Sequence, residues 1–83
     1  MSYITFLRKF AGLMDRIKLK EFGLRLKQLR IERNLTQEKL AYKGDFDRNY
    51  IGMLERGERN PSLLNLIRLS DALSIKLNEL LDF

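Results

Sequence analysis

The sequence predicts an all-helical chain, and three features of its 83 residues lead there. Large apolar residues recur at steps of three and four, the spacing that places them on one face of a helix. The single proline, Pro61, stands outside these periodic runs, and no stretch alternates apolar and polar residues as a half-buried strand does. The breaks between runs carry residues suited to helix ends: Asn34, Gly44-Asp45, Gly57 and Asn60-Pro61.

Taken in order, residues 3–17 place Tyr3, Phe6, Leu7, Phe10, Leu13, Met14 and Ile17 on an amphipathic stripe. A second helix is expected from about Lys18 to Arg33, with Phe22, Leu26 and Leu29 on one face. Asn34 ends it, because asparagine tolerates the left-handed conformation common just past a helix. Thr36 is the N-cap of a short third helix, whose Gln37-Glu38 start suits the positive end of the helix dipole. That helix should stop near Lys43, and Asp47 should cap a fourth that runs to about Arg56. Gly57 follows as a C-terminal glycine. Ser62 then caps a helix carrying Leu63, Leu66, Ile67, Leu69, Ser70 and Leu73, and Leu77 to Leu81 form the last.

Composition narrows the function. Apolar residues make up 45% and charged residues 33%, a globular balance with room for one modest core. The expected division is an N-terminal helical extension over 1–20 and a domain over 21–83. No apolar run reaches the length of a membrane span, and Arg8, Lys9 and Asp15 interrupt the N-terminus where a secretory signal would be apolar. Cysteine and histidine are both absent, which removes thiolate metal sites, disulfides and the commonest general base. No phosphate-binding glycine loop or nucleophile elbow is present either. No enzyme, cofactor, metal or small-molecule ligand is therefore expected. The net charge of +5 favours an anionic partner, nucleic acid first, although residues 1–20 carry +4 of it.

The run from Gln37 to about Arg56 has the dimensions of two short helices crossing over a tight turn. Ala41 is the small residue at the crossing, and Asp45 must supply positive φ in the turn. Phe46, Ile51 and Leu54 bury the second of these helices, which leaves Arg48, Asn49, Gly52 and Met53 facing outward. A helix presented in that way fits the major groove of B-DNA. Phe22 and Phe46 occupy inward positions, so they are core residues and not a platform for stacking bases.

The runs FGLRLKQLR, LTQEKLA, YIGMLERGERNPSL and LSDALSIKLNELL resemble the Xre/Cro-like helix-turn-helix regulators related to phage repressors. LTQEKLAYKGDFDRNYI is most similar to the controller proteins of restriction–modification systems. The resemblance implies a five-helix, lambda-repressor-like DNA-binding domain to which residues 3–17 add a helix. It further implies a transcriptional regulator that acts as a homodimer on a short palindromic stretch of double-stranded DNA, in the cytoplasm and on the nucleoid. Arg48, Asn49 and Met53 match base-reading positions, and Gln37 matches a residue that binds backbone phosphate. Tyr50, Arg56, Arg59 and Asn60 are further candidates for phosphate, whereas Arg30 and Glu55 match a structural ion pair. Gly52, Ser74 and Lys76 depart from the family pattern: a longer residue, a glycine and a capping serine are usual there. The alternative is an antitoxin-type, prophage or plasmid regulator whose N-terminal helix binds a protein partner.

Overall fold

The computed structural model describes residues 2–83, so Met1 of the expected extension lies outside it. Among the described residues five helices follow one another: α1 (Tyr3–Glu32), α2 (Gln37–Gly44), α3 (Arg48–Glu55), α4 (Leu63–Ala72) and α5 (Leu77–Leu80). There is no strand among the described residues.

One boundary differs from expectation. Residues 3–17 are helical, but they form the first half of α1 instead of a separate helix. The apolar face does change at that junction. The stripe of residues 3–17 and the face of Phe22, Leu26 and Leu29 lie about 130° apart around one helix axis. A change of face needs no change of backbone, however, and neither glycine nor proline stands between Ile17 and Lys20. Lys18 and Glu21 even form an ion pair at 3.2 Å across the expected junction. At 30 residues α1 is about 45 Å long, which accounts for the long dimension of the molecule, 48 × 24 × 21 Å.

The other helix ends match their sequence signals. The hydroxyls of Ser2, Thr36 and Ser62 each accept a hydrogen bond from the backbone N–H three residues on, and Asp47 accepts from that of Asn49. Asn34, Asp45 and Gly57 have φ of 56°, 57° and 75°, each just beyond a helix. Ser74 also takes positive φ (58°), where the family usually has glycine. Lys76 leaves α5 without a side-chain cap. The last helix ends at Leu80, one residue short of expectation.

The core joins Phe22, Leu26 and Leu29 of α1 to Leu40, Ala41, Ile51, Leu54, Leu69, Leu73 and Leu80. Gly23 sets the distance between α1 and α3, since a Cβ there would stand 2.4 Å from the carbonyl oxygen of Glu55. Two arginines of α1 hold the C-terminal region by its backbone: Arg25 donates to the Glu79 carbonyl at 2.8 Å and Arg33 to that of Leu73 at 2.9 Å.

Candidate nucleic-acid interface

The turn between α2 and α3 is tight because its backbone folds back on α2. The N–H of Phe46 donates to the Ala41 carbonyl at 2.8 Å, with Asp45 in the left-handed region. Gly44 is buried under the Phe46 ring, which a Cβ would meet at 2.5 Å. Ala41 is buried at the crossing, as expected, and Phe46 is half-buried against the core.

A residue that the sequence did not single out closes this turn from α4. The Arg68 guanidinium donates to the carbonyls of Gly44 (2.7 Å) and Asp45, and lies over the Phe46 ring at 4.2 Å. It also donates to the Asn65 side-chain oxygen, while the Asn65 amide donates to the Tyr50 hydroxyl at 3.0 Å. Tyr50 in turn stacks on Phe46 and lies under the Arg59 guanidinium, 5.5 Å from the ring centre. These contacts brace the start of α3 against α4. The only signal in the sequence is a charged and an amide residue three apart on α4, a spacing that sets them side by side on the helix.

Buried Ile51 and Leu54 commit the inner face of α3. On its outer face Arg48 and Asn49 are exposed and Met53 is half-buried. Gly52 corrects the expectation of an outward residue. It is buried, and the Arg56 guanidinium and the Gln37 side chain cover the space where its Cβ would point, at 3.1 and 3.5 Å. Two shallow depressions flank Asn49 and Met53. One, toward the start of α2, is lined by Gln37, Arg48 and Arg56; the other by Tyr50, Arg59 and Asn65.

The sequence-expected residues thus gather on one side of α3, in different states of engagement. Gln37 is exposed, and its amide donates to Glu55 at 3.1 Å. Arg56 makes an exposed ion pair with Glu58, with 3.0 Å contacts. The hydrogen bond from Arg56 holds the Glu58 carboxyl below its ordinary range, and Glu58 raises the Arg56 pKa. Arg59 and Asn60 are exposed in the loop before Pro61, where an Arg59 nitrogen lies 3.8 Å from the Met53 sulfur. Arg30 and Glu55 form a two-pronged pair at 2.6 and 3.0 Å.

Among the described residues no helix is long and apolar enough to cross a membrane. A helix-turn-helix family model matches residues 26–80. The chain is 46% identical over 63 residues to the control protein C.BamHI of Bacillus amyloliquefaciens, covering 75% of this chain and 78% of that one. The restriction–modification controller protein C.AhdI of Aeromonas hydrophila superposes with a TM-score of 0.74 at 48% identity, over 75% of this chain and 94% of that one. A further likeness is to the controller protein C.Esp1396I, solved as a tetramer with its natural 35 base-pair operator. Its TM-score is 0.71 at 34% identity, over 77% of this chain and 88% of that one. Over about three quarters of its length the chain is similar to restriction–modification controller proteins, and it belongs to the helix-turn-helix family of transcriptional regulators.

Proposed function

We propose that this chain is a sequence-specific DNA-binding regulator of transcription that acts as a homodimer on a short palindromic operator, as a restriction–modification controller protein. The observation that carries the reading is the outer face of α3. Arg48 and Asn49 are exposed there beside Met53, on a helix whose inner face is buried and whose start is held by Arg68, Asn65 and Tyr50. In the major groove, Arg48 pairs with guanine O6 and N7, Asn49 reads a neighbouring base edge, and Met53 makes apolar contact. Gln37 at the start of α2, with Arg56, Arg59, Asn60 and the Tyr50 hydroxyl, meets phosphates on either side. Gly52 brings no side chain to the bases.

Two copies are required because one recognition helix buries too little DNA surface for useful specificity. The reading places the protein in the cytoplasm on the nucleoid, and it assigns no catalysis and no ligand. Retention of duplexes from a random pool, followed by sequencing, tests it: a two-fold symmetric consensus is expected, and retention without any consensus would overturn it. The second reading, a regulator that also binds a protein partner, is favoured by one observation, the exposed stripe of residues 3–17.

A further inference from the structure

The first half of α1 stands outside the core. Tyr3, Ile4, Phe6, Leu7, Phe10, Leu13, Met14 and Ile17 are 36–75% exposed, although one helix face collects nearly all of them. The chain cannot cover this face itself. Because α1 is continuous, the stripe is turned about 130° from the side on which the domain packs. A Cβ on Gly12 would meet nothing within 4 Å, which shows how bare this half of the helix is on its other side too.

Such a helix has little reason to hold by itself. Isolated helices of about 12–15 residues are marginal in water. This one contains Gly12 and the β-branched Ile4 and Thr5, and its first turn has no acidic residue to meet the helix dipole. Something must therefore cover the stripe.

We infer that the cover is a second copy of this chain, packed helix on helix through residues 3–17. The spacing is that of a coiled-coil seam. Tyr3, Leu7, Phe10, Met14 and Ile17 follow steps of four and three; beyond them the same register holds exposed Leu24 and Ile31 but also Glu21 and Gln28, so the apolar seam is unbroken only over 3–17. An apolar pattern repeating every seven residues drifts about 20° per repeat on a straight helix, which two such helices accommodate by winding into a left-handed supercoil. The seam is flanked over 3–17 by Ile4, Phe6, Ala11 and Leu13, so no charge beside it selects a chemically different partner. Arg8, Lys9 and Arg16 lie on the far side, clear of a second copy. Pairing two such stripes removes on the order of 1,000 Å² from water, the scale of a specific interface.

The full chain is to be followed by analytical ultracentrifugation and far-ultraviolet circular dichroism over a dilution series, without DNA. Phe10→Asp is compared with Thr5→Asp, which places the same charge on the opposite face; both positions lie outside the core. The expected result is association at micromolar concentration that Phe10→Asp weakens at least tenfold and Thr5→Asp leaves unchanged. Helicity should fall on dilution of the parent chain and stay at the lower level in Phe10→Asp. A parent chain that is monomeric throughout, or association indifferent to Phe10→Asp, overturns the inference. A third arm mixes the chain with vesicles of anionic phospholipid, because a basic amphipathic helix also suits a membrane surface. Flotation with the vesicles that Phe10→Asp abolishes would assign the stripe to lipid and overturn self-pairing; no flotation is expected.

Discussion

Arg30 and Glu55 are 25 residues apart in sequence, yet the guanidinium of one grips the carboxylate of the other with two hydrogen bonds of 2.6 and 3.0 Å. The pair joins the C-terminal part of α1 to the end of the recognition helix. Arg30 also donates to the Leu35 carbonyl at 2.8 Å, and Gln37 donates to the same carboxylate. The side chains are only 11% and 3% exposed, so loss of one partner strands a charge away from water. Arg30→Met should lower stability by about 2–4 kcal/mol and the Tm by roughly 10 °C or more. A melting curve matching that of the parent would show the pair to be dispensable.

Two glycines of α1 should respond in opposite directions. Gly23→Ala drives a methyl group into the Glu55 and Leu54 carbonyls, which forces α1 away from α3 at a cost of about 1–3 kcal/mol. Gly12→Ala meets open space and removes a poor helix former, so it should stabilise α1 by roughly 0.5–1 kcal/mol. Urea titrations of the two variants measure the contrast, and the same sign in both would contradict the packing described.

The departures near the C-terminus offer stabilising changes. Ser74 holds φ of 58°, a conformation that glycine adopts without strain, and Lys76 caps nothing. Ser74→Gly should contribute about 0.5–1 kcal/mol, and Lys76→Ser about 1 kcal/mol through a new N-cap bond. Differential scanning calorimetry should show each Tm rising and the two gains nearly adding.

In the proposed interface, Glu58 competes with DNA phosphate for Arg56, with which it forms an exposed ion pair. Glu58→Gln frees that guanidinium, so affinity should rise for all duplexes alike, and the salt dependence should steepen by about one unit. Acid acts in the same direction. The Glu58 carboxyl is held below its ordinary range, so the pair is intact above that range and is lost as pH falls through the lowered value. Filter-binding titrations at several salt concentrations would expose the opposite case, an unchanged slope, in which Arg56 meets no phosphate.

Arg48 and Arg59 should separate specificity from affinity. Arg48→Ala removes the proposed base contact, of about 1–3 kcal/mol, and should weaken operator binding far more than binding to scrambled duplex. Arg59→Ala should weaken both by a similar factor, since phosphate is the same in every sequence. Paired titrations decide the matter: if Arg48→Ala weakens both duplexes equally, the bases are read elsewhere.

Much of this was legible in the residues themselves, wherever the cause was local. Thr36, Asp47 and Ser62 cap the helices they were expected to cap, because a side-chain oxygen and an N–H two or three residues away need no tertiary help. Asn34, Asp45 and Gly57 take positive φ for the same kind of reason. The Arg30–Glu55 pair, although long-range, was readable through family resemblance. Tertiary structure alone decided what depends on neighbours distant in the chain. Arg68 reaches the turn 24 residues upstream, Gly52 is covered by Gln37 and Arg56, and Gly23 meets a carbonyl of α3. No spacing rule encodes these contacts. The continuity of α1 lies between the two cases: helical periodicity forecast both of its halves, but with a boundary near Lys18, where the apolar face changes. The backbone runs straight through it, because helices end where hydrogen bonding or φ/ψ demands it and not where the buried face rotates.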